Sequence, residues 1–132
     1  MGRSRLRTVL LDTHAWAWTL TDDARLSAGA RRAIEDAETV LVSAISFFEI
    51  GQKARLGKWP QMADLLDELP EIARAQGARI AELDAPICVL AARLAWPHRD
   101  PFDRLIAATA LVRSVPLISA DGAFDGMLSR VW

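Results

Sequence analysis

The sequence predicts an α/β domain built on a parallel central sheet with helices on both faces. Three observations carry that prediction. The runs Val9-Leu10-Leu11, Val40-Leu41-Val42 and Leu117-Ile118 are apolar without alternation, as expected of strands buried on both sides. Segments with helical start and stop residues lie between such runs, giving the strand–helix rhythm of a doubly covered parallel sheet. A chain of 132 residues, 52% apolar and 25% charged, suffices for one ordinary core without covalent staples.

Taken in order, Thr8 to Leu11 reads as a buried strand ending at Asp12. Thr13 to Leu20 and Ser27 to Ala37 read as helices, with Ser27 as an N-cap and Asp22-Asp23 in the connection. Val40 to Val42 is the second strand, and Ile45 to Leu56 a helix stopped by Gly57. Met62 to Gln76 reads as a helical region, interrupted or bent at Pro70 and closed by Gly77. Ala78 to Leu83 is a third strand. Asp84-Ala-Pro opens a helix expected to reach Ala95, with its proline in the first turn. Asp100-Pro101 opens a helix to Ser114, and Leu117-Ile118-Ser119 is a fourth strand. A short turn around Phe124 and a last strand at Arg130 to Trp132 complete a single domain over residues 1–132, with residues 1–6 read as a flexible N-terminal arm.

The totals exclude several classes. A formal charge of −1 gives no global attraction to nucleic acid, so a DNA-coating role is disfavoured, while an enzyme with a local basic rim is not. The single cysteine, Cys88, cannot form an internal disulfide; among Ile87, Val89 and Leu90 it reads as a small buried hydrophobe in a reducing compartment. No run approaches the ~20 apolar residues of a membrane span. The run after Arg3, Arg5 and Arg7 is too short for a signal peptide, so the protein is expected in the cytoplasm.

Chemistry concentrates in the acids. In open parallel sheets, ligands bind beyond the carboxyl ends of the strands. Asp12 follows the first strand directly and Asp121 follows the fourth. Each also has a local explanation, Asp12 as an N-cap and Asp121-Gly122 as a turn. Glu49 lies in the helix after the second strand, near the same edge; alternatively it pairs with Lys53 one turn on. Asp100 reads first as an N-cap. Asp103 is less easily explained locally, because the helix from Phe102 to Val112 is apolar nearly all round and its first turn should face protein. Acids gathered in one pocket repel one another and raise their pKa values, a cost that a bound divalent cation reverses. Oxygen-only ligands favour Mg²⁺ or Mn²⁺, and such a site is suited to phosphodiester hydrolysis. His14 and His98 have no zinc-like spacing and read as structural or rim residues. Phosphate-binding glycine loops and a nucleophile elbow are absent from the sequence.

The ordered motifs Leu10-Leu-Asp-Thr-His14, Leu26-Ser-x-x-Ala-Arg31, Phe48-Glu-Ile50 running on to Leu56-Gly-Lys58, Asp100-Pro-Phe-Asp-Arg104 and Ser119-Ala-Asp121 resemble the PIN-domain family, specifically the VapC-type ribonuclease toxins of bacterial toxin–antitoxin pairs. The likeness runs from about Arg7 to Trp132. It implies a PIN-like fold and a metal-dependent endoribonuclease whose catalytic and metal-binding acids fall on Asp12, Glu49, Asp103 and Asp121. It makes Asp100 an accessory ligand and Ser119 a hydroxyl that helps orient the metal's water. It also implies Mg²⁺ or Mn²⁺ as cofactor, RNA as substrate, a small VapB-type antitoxin as partner, and a homodimer. Lys53, Arg55, Lys58, Arg99 and Arg104 are candidates for a positive rim along RNA, with a solvated surface as the alternative. Trp16, Trp18 and Trp59 suit either an interface or the core. A DNA nuclease or phosphatase, and a non-catalytic binding module whose acids are only caps and turns, are the competing readings.

Overall fold

The computed structural model describes residues 8–132, so the expected N-terminal arm at residues 1–6 lies outside the described residues. Five strands, β1 (Thr8–Leu11), β2 (Thr39–Ser43), β3 (Arg79–Ala81), β4 (Leu117–Ile118) and β5 (Arg130–Val131), form one sheet in the order β3-β2-β1-β4-β5. Every pairing is parallel. Six α-helices accompany them: α1 (Thr13–Leu20), α2 (Ala28–Asp36), α3 (Ala44–Arg55), α4 (Leu69–Ala75), α5 (Ala85–Arg93) and α6 (Pro101–Arg113). The predicted fold class stands.

Strand β1 explains why both faces are covered. Val9, Leu10 and Leu11 are at most 1% exposed. Val9 and Leu11 join one core with Trp16, Ala30, Val42, Ile50 and Leu69. Leu10 points the other way, joining Leu41, Ile106, Ala107, Ala110 and Leu117. Successive strand residues serve opposite cores, so an alternating polar pattern has no place here. Each such side chain contributes about 1.5–3 kcal/mol by leaving water.

The strands hand over to helices at their carboxyl ends. Asp12 caps α1, its Oδ1 accepting from Ala15 N at 2.8 Å. Ser43 caps α3 by accepting from Ile45 N. Asp100 caps α6, accepting from Phe102 N at 2.8 Å, and Pro101 occupies the first turn, where its missing N–H costs nothing. Register then sets neighbours: Leu11 lies opposite Ile118, so Asp12 and Ser119 emerge side by side.

Two predicted elements differ. The helical region expected over 62–76, interrupted or bent at Pro70, is interrupted there, but its first part is a 3₁₀ segment, Pro60–Glu68, ahead of the separate helix α4. Pro70 cannot donate to the ladder and its ring opposes the carbonyl one turn back, so it serves as an opening residue of a new helix. Helix α5 ends at Arg93 and not at Ala95. There the carbonyl of Ala91, which the next helical N–H would have used, accepts from Arg104 Nε at 2.9 Å. Cys88 is exposed, contrary to the expected burial. Helix α5 buries Ile87 and Ala91, one turn apart, and this leaves Cys88 and Val89 on its outer side. Among the described residues no helix is long and apolar enough to cross a membrane.

Candidate active site

At the carboxyl edge of the sheet, a cavity of about 410 Å³ is lined by Asp12, Glu49, Asp100, Asp103 and Asp121, with Thr13, His14, Trp18, Arg25, Lys53 and Ala120. The four acids singled out in sequence, and the accessory Asp100, thus share one space.

Asp12 sits deepest among the aspartates, at 8% exposure. Burial, reinforced by repulsion from Asp103 and Glu49, pushes its carboxyl up to about 6, against opposing hydrogen bonds from the Ser119 hydroxyl and Ala15 N–H. Ser119 is itself fully buried, and its Oγ accepts from Asp121 N at 3.0 Å, so it ties the ends of β1 and β4 together. Asp103 is partly buried on the first turn of α6. Its pKa is raised, by burial first and then by Asp100 and Glu49, with a His98 hydrogen bond acting against both. Asp121 is exposed and caps a 3₁₀ turn, accepting from Ala123 N at 2.9 Å. Its cap and its place at the cavity coexist, as they do for Asp12.

Glu49 is 3% exposed and both its oxygens are engaged. Thr13 Oγ1 donates to Oε1 at 2.6 Å, and Lys53 Nζ donates to Oε2 at 2.7 Å. The Lys53 pair anticipated as a solvated surface contact exists, but it forms a cavity wall. Because Thr13 gives its one proton to Glu49, the 2.8 Å contact between Thr13 and Ser46 makes Ser46 the donor to Thr13. Replacing Thr13 by Val strands the Ser46 donor and one Glu49 lone pair, and should cost about 2 kcal/mol in denaturant unfolding. A loss under about 0.5 kcal/mol would show that water substitutes for the hydroxyl.

Sequence reasoning set His98 aside, yet the structure places its Nε2 2.6 Å from Asp103 Oδ2. His98, Asp103 and Asp121 each present a ligand atom within 4.8 Å of the others. The signal available in sequence was proximity to Asp100-Pro101: His98 lies in the same entry loop to α6.

The basic residues separate. Lys53 lines the acidic cavity; Lys58 lines an adjoining groove with His14, Trp18, Arg25, Lys53, Trp59 and Gln61. Arg55 and Arg99 are exposed and line neither. Arg104 is withdrawn from any rim. Its Nε donates to Ala91 O at 2.9 Å, Nη1 to Trp96 O at 2.7 Å and His98 O at 2.9 Å, and Nη2 to Leu94 O at 2.7 Å. The guanidinium is a clamp on the 91–98 backbone. Of the tryptophans, Trp16 is core at 1% exposure, while Trp18 and Trp59 border the groove.

An oxygen-rich donor set with a buried, mutually repelling pair of carboxylates suits a hard divalent cation. Asp103 and Asp121, with His98, bring ligand atoms closest together, while Asp12 and Glu49 line the same cavity and Glu49 also accepts from Thr13 and Lys53.

Comparison with known proteins bears on the same arrangement. The family profile of the PIN domain matches residues 9–127. The chain is 34% identical over 119 residues to ribonuclease VapC22 of Mycobacterium tuberculosis, covering 88% of each. Among solved structures, it resembles a chain of VapBC2 from Rickettsia felis bound to a DNA fragment from their promoter, with TM-score 0.64 at 16% identity, over 93% of this chain and 96% of that one. It likewise resembles a chain of a toxin–antitoxin complex from Klebsiella pneumoniae, with TM-score 0.63 at 19% identity, over 94% and 96%.

Proposed function

The chain belongs to the PIN-domain family, and on that premise we propose that it is a metal-dependent endoribonuclease, the toxin of a VapBC-type toxin–antitoxin pair. The observation that carries the proposal is the buried Asp12 carboxylate facing Asp103 and Glu49 across one cavity. Such a cluster is costly to ionise without a cation and suited to holding one. RNA as substrate is supported by the likeness to a ribonuclease, and a small antitoxin partner by the likeness to toxin–antitoxin complexes. A cytoplasmic setting is part of the same proposal.

Asp12, Asp103 and Asp121 would hold Mg²⁺ or Mn²⁺, with Glu49 adding negative charge behind them. A divalent cation there supplies Lewis-acid polarisation of a phosphoryl oxygen and lowers the pKa of water. The protein's own groups do the rest. The Ser119 hydroxyl beside Asp12 favours its ionised form, and Ala15 N holds its Oδ1. Asp100 caps α6 and so sets the direction of Asp103. Lys53, oriented by Glu49, presents an ammonium at the cavity wall to an entering phosphate.

The experiment is cleavage of a labelled single-stranded RNA with Mn²⁺, with EDTA, and with Asp103→Asn protein, alongside a DNA strand of the same sequence. Cleavage of RNA that stops with EDTA and falls about a thousandfold in the variant is expected. Undiminished cleavage by Asp103→Asn would remove the assigned site, and preferential cleavage of DNA would replace the substrate.

A further inference from the structure

The groove beside the acidic cavity has the opposite chemistry. It measures about 380 Å³, and its lining holds two tryptophans and three cations, Arg25, Lys53 and Lys58, and no acid. The two spaces adjoin: His14, Trp18, Arg25 and Lys53 line both. Within the groove the exposed His14 ring is stacked on Trp59, with centroids 4.8 Å apart and planes at 21°. Trp18 stands edge-on to the same imidazole at 5.9 Å. Lys53 Nζ lies 5.9 Å from the Trp59 ring while bound to Glu49, so one ammonium faces both spaces.

Arg25 is held by Asp23 through Nε and Nη2, over the Trp18 ring, which leaves Lys58 as the cation not tied to a carboxylate in this lining. We propose that this groove is a substrate subsite that stacks one unpaired RNA base on the His14–Trp59 platform and holds an adjacent backbone phosphate on Lys58. The proposal rests on the ribonuclease reading above. An acidic cavity on a chain of net charge −1 repels a polyanion, so a strand delivered to it needs local cations on its neighbouring phosphates. Surface rings interleaved with cations are the usual means of holding single strands with little sequence preference. A base engaged on such a platform cannot be paired, so the groove selects loops and single strands over duplex.

The test reads binding without cleavage: fluorescence anisotropy of a labelled single-stranded RNA in EDTA, with wild type, Trp59→Ala, Trp59→Phe and Lys58→Gln. Trp59→Ala should weaken binding about tenfold, Trp59→Phe should recover most of it, and Lys58→Gln should lessen the salt dependence. An abasic residue walked along the strand should at one position cost the wild type what Trp59→Ala costs, and cost the variant nothing further. Three results would overturn the subsite: equal binding by wild type and Trp59→Ala, an abasic penalty that is additive everywhere, or no binding of the strand by wild type. Unchanged RNA binding with weakened capture of a polyglutamate peptide would assign the groove to a protein partner instead. Because no cleavage is measured, failure of the nuclease reading leaves a positive binding result standing. Conversely, metal-dependent cleavage with unaltered Trp59→Ala binding removes the subsite and keeps the nuclease.

Discussion

Replacing Asp12 by Asn should abolish most cleavage and, in metal-free protein, raise stability. The amide keeps the shape and the acceptor that caps α1 through Ala15 N. It removes a charge that the fold holds at a disadvantage. The carboxyl titrates at about 6 in the folded chain against 3.8 for the free group. An acid with a raised folded pKa leaves stability intact below the unfolded value, and stability is lost as pH rises through the folded one. Above pH 6, ionised Asp12 therefore costs about 3 kcal/mol, and below pH 4 it costs nothing. In EDTA, urea unfolding of wild type and Asp12→Asn should coincide near pH 3.5 and diverge between pH 4 and 6, the variant being more stable above. Mn²⁺ should raise the melting temperature of wild type more at pH 7.5 than at pH 5, and do little for the variant. Parallel stability curves across that range would contradict the burial of a charged carboxylate.

The second large effect is expected at Arg104, far less conspicuous as a charge. Replacing it by Lys keeps the charge and loses the planar fork, which spreads four donors over the carbonyls of Ala91, Leu94, Trp96 and His98. Charge-assisted bonds of this kind are each worth about 1.5–3 kcal/mol, and a lysine can retain one or two. A loss of about 3 kcal/mol is expected in chemical denaturation, with Arg104→Ala at least as severe. Activity should fall further than unfolding explains, because the clamped loop presents His98 to Asp103. A stable Arg104→Lys protein with weakened RNA binding would restore the rim role that its charge suggests.

Those two residues show what was legible in the sequence. Asp12 was legible because a cap at the end of a strand and an acid at the sheet's carboxyl edge call for the same residue type at the same place; the cap is formed, and the same side chain lines the cavity. Asp121 and Asp100 follow the same logic, each a cap whose carboxylate also borders the cavity. Arg104 was misread because its partners are backbone carbonyls, which carry no identity in sequence. The early end of α5 at Arg93 has the same cause. The stack of His14 on Trp59 was hidden for another reason: it joins α1 to the loop after α3, and no local pattern announces that contact. Cys88 misled because an apolar neighbourhood in sequence does not say which side of a short helix is covered.

The sheet order has a kinetic consequence. Strand β1, first along the chain, lies in the middle of the sheet, and its flank toward β4 is completed by residues 117 and 118. Closing that pairing requires most of the chain to be ordered around it, a non-local contact of the kind that slows folding. Asp12 and Asp121 come to line one cavity only when that pairing forms. A nascent chain ending before Leu117 therefore lacks Asp121 and Ser119, so the proposed centre is completed only by the last part of the chain.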